Sequence, residues 1–261
     1  MNSIFDITQS QIEIFLLSMF RSAGIMATAP IFSHKTLPVQ IKFAFAMILS
    51  FLIFPFAKPA VFVSPSGLLE LLGVGVTEFL LGALIGFMFY LLFIGVQFAG
   101  GLIGFQVGFA IVNVIDPTTS QNISIIGQFQ FLLATLLFLM MDGHHMILSG
   151  MVDSFKLVPM ATVQLHIQNA NELIRMSAGA FVIAVKIASP VMLALLLTDC
   201  ALGVLSRTVP QMNIFIVGFP LKIMIGLFVV GISLPIFAYI FQQSLMRLQD
   251  GLSQMIVSLA R

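Results

Sequence analysis

The sequence predicts an all-α membrane protein built from about six long, kinked helices. Three observations carry this. The 261 residues are 59% hydrophobic and only 8% charged, whereas soluble domains carry about 25% charged residues. Six apolar runs approach the roughly 20 residues that cross a bilayer. Prolines stand between these runs and inside the last two, where each removes a backbone donor and bends its helix.

The first run covers 12–32. Its start, MNSIFDITQSQIEIFLLSMF, holds Asp6 and Glu13 but no Lys or Arg. A secretory signal has a positive n-region, so the chain from Gln11 onward reads as a mature first helix. The second run, 43–57, is short and lies between Pro30 and Pro38 on one side and Pro59 and Pro65 on the other, with Pro55 near its end. The third covers 68–93 and extends towards Gly104. The fourth, 123–141, follows Pro117. Residues 142–177 form the largest polar stretch, with Pro159 inside it and a short exposed helix expected over 164–175. The last two runs, 178–197 and 214–241, flank Pro210. Pro190, Pro220 and Pro235 fall within or at the start of them. Carbonyls freed by a proline in lipid need new partners, so kinked helices imply burial against other helices.

Charge excludes some function classes. The 11 Lys+Arg and 10 Asp+Glu leave a net charge of +1, which gives no basic face for nucleic acid. Three of the basic residues, Lys35, Lys42 and Arg207, fall on one side of a six-span layout. Lys58, Lys156, Arg175, Arg247 and Arg261 fall on the other, too even a division to orient the chain. Tryptophan is absent and tyrosine occurs twice, so the interfacial aromatic belt is thin. The 27 phenylalanines imply rings packed on protein. The single cysteine, Cys200, has no internal disulfide partner and reads as a small buried apolar residue.

Small residues recur four apart: Gly82 and Gly86, then Gly100, Gly104 and Gly108. That spacing places them on one helix face, where backbones approach closely. Gly75 and Glu78 share the face of Gly82, so the Glu78 carboxylate points at protein rather than lipid. Arg21, Glu78, Lys186 and Lys222 all lie inside apolar runs. Buried ionisable groups in membranes pair or line a watery path. A proton relay uses several carboxylates or histidines in sequence, and Glu78 is the only carboxylate deep in a run. Structural pairing is therefore expected, with Arg21 or Lys222 on Glu78, or with a partner chain.

Catalytic signatures are missing. There is no GxxxxGK[ST] phosphate loop, HExxH zinc helix or GxSxG elbow. Asp142, His144 and His145 come nearest to a metal cluster. Adjacent histidines diverge by about 100° on a helix, so no metal is expected there, and Asp142 is expected to cap the helix that follows. No cofactor is implied.

The segment GFQVGFAIVNVIDPTTSQN, from Gly104 to Asn122, interrupts two apolar runs. Gly104 and Gly108 let the backbone turn. Asp116-Pro117 disfavours helix, because proline restricts the residue before it. Irregular backbone at membrane depth is tolerated where it packs in protein or lines a cavity. On these residues alone the segment reads as a re-entrant connector.

In order along the chain stand Arg21 and Gly24 before Ala29-Pro30, then Pro38 and Lys42, then Glu78, Gly82 and Gly86. GFQVG and Asp116-Pro117 follow, then GHH, then Ser154 and Pro159, and last RTVPQMNIFIVGFPLK from Arg207 to Lys222. This pattern closely resembles the FliR/SctT family of type III secretion export-gate proteins, over nearly the whole chain. The resemblance implies a non-enzymatic subunit, one copy of which joins several FliP and FliQ subunits in a helical, right-handed ring that forms the export channel. It implies helices partly above the plane of the bacterial inner membrane, in the flagellar basal body, with FlhB at the cytoplasmic mouth and FlhA beneath. The cargo would be unfolded flagellar proteins. Residues 1–177 would form a FliP-like front part and 178–261 a FliQ-like hairpin of one polytopic domain. The 104–122 loop would be a channel plug formed by Gly104, Gly108, Phe109, Ile111, Val114, Ile115, Asp116 and Pro117. Arg21, Gly75, Glu78, Gly82, Gly86 and Lys222 would serve helix and partner packing.

Rival readings are a small-solute secondary transporter, a membrane enzyme, and a purely architectural gate subunit without a moving plug. Transporters commonly show two related halves with matching interruptions, and the halves here do not match. An enzyme needs reactive groups converging at one depth, which this sequence does not offer.

Overall fold

The computed structural model describes residues 9–33, 37–55, 67–109, 124–162, 167–209, 211 and 213–259. Among these the regular structure is entirely helical: α1 Gln9–Thr28, α2 Val39–Ile53, α3 Leu68–Val107, α4 Ile125–Met140, α5 Gly143–Leu157, α6 Ile167–Thr208 and α7 Ile214–Leu259. The molecule is an all-α membrane protein.

Each of the six apolar runs forms a helix, with two corrections. Helix α5 falls in the stretch read as polar. Its buried residues, Gly143, Ile147, Gly150, Met151, Ser154 and Phe155, recur at helical spacing. The search for long apolar runs passed over it because polar residues alternate with that stripe. Of the short helix expected over 164–175, residues 164–166 lie outside the described residues and the rest form no separate helix. From Ile167 they run without a break into α6, because nothing in this stretch before Pro190 breaks a helix.

Fewer helices than runs are long and apolar enough to span a membrane. Three qualify among the described residues, Leu68–Val107, Leu173–Thr208 and Ile216–Ile256, and a fourth only if α4 and α5 count as one span. Helix α1 carries Glu13, Arg21 and several serines, and α2 has only 15 residues. Pro190 lies inside α6, and Pro220 and Pro235 inside α7.

The chain divides into two compact units. The first comprises residues 1–91, 142–176 and 246–261. Its core holds Leu17, Ile25 and Met26 of α1, Leu81, Ile85 and Met88 of α3, and Ile147 and Met151 of α5, all fully or almost fully buried. Helices α1 and α3 meet at backbone distance. A Cβ on Gly82 would overlap the Arg21 carbonyl, and one on Gly24 would overlap the Phe79 carbonyl and lie 2.7 Å from the Ala83 nitrogen. Gly86 likewise faces the Ala29 nitrogen at 2.7 Å, while Gly75 accommodates the Phe20 ring at 3.0 Å. The Thr28 hydroxyl donates across the seam to the Ala83 carbonyl at 2.8 Å.

The second unit comprises residues 92–141 and 177–245. Phe93 is its centre, in edge contacts with Phe131, Phe138 and Phe241 at ring-centroid distances of 5.6, 5.5 and 6.0 Å. Such edge-to-face pairs are favoured by the ring quadrupole. Helix α6 presents a narrow face of Ala180, Ala184, Ile187, Ala188, Val191 and Leu195 to this core. Cys200 is exposed, contrary to the sequence expectation. It lies on the outward side of α6 beside the exposed Leu196 and Leu197.

Candidate functional site

In the first unit the stray charges form a closed network. Arg21 and Glu78 are both fully buried, and the Arg21 Nε donates to Glu78 Oε2 at 2.6 Å. The other guanidinium nitrogens bind the end of α5. Nη1 donates to the Ser154 carbonyl at 2.9 Å and to the Val158 carbonyl at 3.2 Å, and Nη2 also reaches Val158 at 3.2 Å. The guanidinium carbon stands 4.2 Å from the centre of the Phe155 ring, a cation–π contact. The second Glu78 oxygen, Oε1, accepts from the Ala161 N–H at 3.0 Å. Ala161 has φ 66°, a left-handed conformation that is uncommon for a residue with a side chain. One ion pair thus joins α1, α3, α5 and the turn after α5.

A buried charge is stable only when paired and hydrogen-bonded, and here both conditions are met within the chain. No further carboxylate or imidazole among the bonds of this network continues it as a proton path. Sequence reasoning found Arg21 and Glu78. It missed Ser154, Val158 and Ala161, because backbone partners leave no mark in side-chain chemistry.

In the second unit, α3 ends at Val107 and Gly108 has φ 102°, a backbone that favours glycine. The Gly108 N–H donates to the Phe105 carbonyl at 3.1 Å and the Phe109 N–H to the Gly104 carbonyl at 3.0 Å, which closes the helix end. A Cβ on Gly108 would lie 3.1 Å from the Phe219 ring, and one on Gly226 would lie 2.7 Å from Val107 Cγ2. The end of α3 is therefore seated on α7. Phe109 is half-buried. The other plug candidates, Ile111, Val114, Ile115, Asp116 and Pro117, lie outside the described residues.

Ser124, the N-cap of α4, lies against α3. The Ser124 hydroxyl donates to the Gly100 carbonyl at 2.8 Å and accepts from the Gly127 N–H at 3.2 Å, capping α4. Gly100 sits against the backbone of Gly127, and Gly104 against the Ser124 side chain. The small residues at Gly100 and Gly104 thus let the start of α4 pack against the last turns of α3.

Lys222 pairs with Asp199, not with Glu78. Asp199 lies just beyond the apolar run 178–197, and nothing in the sequence reading singled it out. A signal was present. Asp199 and Lys222 lie at nearly equal sequence distance from the turn between α6 and α7, which brings them to one level of the hairpin. Both line a cavity of about 240 Å³ together with Phe219, the ring that Gly108 rests on. Lys186 is exposed on α6.

The histidines also differ from expectation. The His144 and His145 rings do not diverge; their centroids lie 4.2 Å apart. Asp142 has φ 56° and makes no capping hydrogen bond, and its Oδ1 meets His145 Nδ1 at 3.2 Å. The left-handed residue turns the carboxylate away from the helix N–H groups and towards the imidazole. Asp142 and His145 are mostly exposed.

Residues 12–248 match the model of the family described as bacterial export proteins, family 1. The chain belongs to that family. Among relatives in this export family, it is 36% identical over 231 residues to the flagellar biosynthetic protein FliR of Bacillus subtilis (strain 168), covering 87% of this chain and 86% of the relative. It is 30% identical over 250 residues to FliR of Escherichia coli (strain K12), covering 94% and 95%. The Aquifex aeolicus (strain VF5) FliR is 33% identical over 221 residues, 85% of each chain. The export-family match begins in α1 and ends in α7, so both the Arg21–Glu78 network and the Asp199–Lys222 hairpin fall inside it.

Proposed function

We propose that this chain is a non-enzymatic core subunit of the flagellar type III protein export gate. It forms the secretion channel with FliP and FliQ, in one copy, in the bacterial inner membrane at the flagellar basal body. FlhB and FlhA adjoin it on the cytoplasmic side, and unfolded flagellar proteins pass through. The stretch 1–177 acts as a FliP-like front and 178–261 as a FliQ-like hairpin. Its relatives named FliR support the flagellar export role.

The observation that supports the gating part is the closeness of the start of α4 to the last turns of α3. Gly108 turns the chain off α3 while Ser124 returns it to the Gly100 carbonyl. A connection that leaves α3 at Gly108 and joins an α4 held against α3 at Ser124 is suited to stand in a lumen. A closed pore must pass an unfolded chain yet block ions, and apolar side chains in a narrow lumen do so by dewetting. Phe109, Ile111, Val114 and Ile115 supply such side chains, and Asp116-Pro117 ends the apolar stretch.

Native mass spectrometry of the chain co-expressed with FliP and FliQ in mild detergent tests the assembly. A discrete complex with one copy of this chain and several of each partner is expected. A monomer or homodimer that ignores both partners overturns the reading. Deleting residues 107–122 is expected to make cells leak small ions while the complex still assembles. Unchanged conductance of an intact complex removes the gating role.

A further inference from the structure

We propose that the outward face of α6 around Lys186 docks a membrane helix of another subunit, and that this helix carries an Asp or Glu opposite the lysine. The inference rests on the hetero-oligomer proposed above and names the chemistry of one of its contacts.

The two faces of α6 are distinct. Ala180, Ala184, Ile187, Ala188, Val191 and Leu195 are buried in the second unit. Val182, Lys186, Ser189, Leu193 and Leu197 form the opposite stripe at helical spacing, and all are exposed. Only 33% of the most apolar window of this helix is buried within the chain, against 61% for α3. Lipid would satisfy the valine and leucines of that stripe. It would not satisfy Lys186.

Lys186 also cannot escape to water along the helix. In the apolar run 178–197, about 30 Å long at 1.5 Å per residue, it lies about 12 Å from the Ala178 end and further from the Leu197 end. Its four-carbon stem covers only a fraction of that. The cations that lie inside the other apolar runs read from the sequence, Arg21 and Lys222, pair within the chain with Glu78 and Asp199. Intramembrane lysines face protein and pair, and among the described residues no carboxylate pairs with Lys186. Charge complementarity therefore selects a carboxylate on a neighbouring chain. The small Ser189 one turn away leaves room for close helix approach.

The test uses the co-expressed complex. A hydrophobic carbodiimide applied to membranes joins an amine to a carboxylate in contact with it. A crosslinked peptide joining Lys186 to an Asp or Glu of another subunit is the expected product, and an unmodified Lys186 in a complex that has formed overturns the proposal. Independently, Lys186→Glu is expected to reduce the co-purified partner more than about ten-fold, because like charges across an interface cost several kcal/mol, whereas Lys186→Arg retains it. Among the described residues the Lys186 side chain forms no ion pair or hydrogen bond within the chain, so the variant is expected to unfold at the wild-type temperature in detergent. Wild-type recovery of the partner with Lys186→Glu sinks the idea, as does an assembled complex whose only change is ion leakage, which would place Lys186 in a watery lumen. If the wild-type chain forms no complex at all, the fault lies with the proposed function instead.

Discussion

Glu78→Ala is expected to cost about 3–5 kcal/mol, the range for removing one partner of a buried ion pair. The substitution leaves the Arg21 guanidinium fully buried without its counter-charge and the Ala161 N–H without its acceptor. The strain at Ala161, with φ 66°, is then no longer held by a hydrogen bond. The chain should unfold at a lower temperature in detergent and assemble poorly with its partners. A second variant separates pairing from proton transport. Replacing both residues, Arg21→Met with Glu78→Met, removes the two charges together. Apolar pairs of similar volume often match a buried ion pair, so this double variant should recover part of the loss. Recovery stays incomplete, because the Val158 carbonyl loses the guanidinium donors and the Ser154 carbonyl loses one of its two donors. Wild-type assembly and thermal stability of Glu78→Ala, with export driven by the proton gradient abolished, would show that the carboxylate carries protons instead.

Gly82→Ala is the second large effect. Alanine normally stabilises a helix relative to glycine by about 0.5–1 kcal/mol. Here the sign reverses. The added methyl would overlap the Arg21 carbonyl and lie 2.9 Å from its carbon, and both are backbone atoms that move only if α1 moves. Overpacking costs about 1–3 kcal/mol when side chains yield, and a backbone neighbour puts Gly82 at or above the top of that range. Displacing α1 also lengthens the Arg21–Glu78 contact, so the two effects compound. Gly73→Ala is the matched control on the same helix, with nothing within 4 Å of the added methyl. Gly82→Ala should lower the unfolding temperature and Gly73→Ala should leave it level or raise it. Equal effects from the two would mean that α1 and α3 do not pack through this seam.

Much of this site was legible before any coordinates. Arg21 and Glu78 announce themselves as charges in apolar helices, and the four-residue glycine spacing marks the face on which they meet. Gly104 and Gly108 both read as turning points from glycine's freedom; only Gly108 turns, at φ 102°, while Gly104 stays inside α3, where its small size admits Ser124. Other features were hidden for identifiable reasons. Asp199 stands past the end of a run and gains meaning only from its distance to the hairpin turn. Helix α5 has too many polar residues to register as a span, yet its carbonyl end holds Arg21. Cys200 was misplaced because a helix with a single buried face leaves even small apolar residues outside.

The lengths of the three longest helices have a consequence for biogenesis. At about 1.5 Å per residue, the 40 residues of α3 extend about 60 Å, and the 46 residues of α7 about 69 Å. The hydrocarbon layer is about 30 Å thick. Tilting within the observed range of about 0–40° cannot absorb a two-fold excess. Greasy helix must therefore emerge from the bilayer, and water is a poor host for it. Such a chain, inserted alone, would carry sticky stalks on at least one side of the membrane. Its safest route is to be made alongside the proteins that sheathe those stalks, so that synthesis out of proportion to its partners becomes a hazard to the cell rather than a harmless surplus.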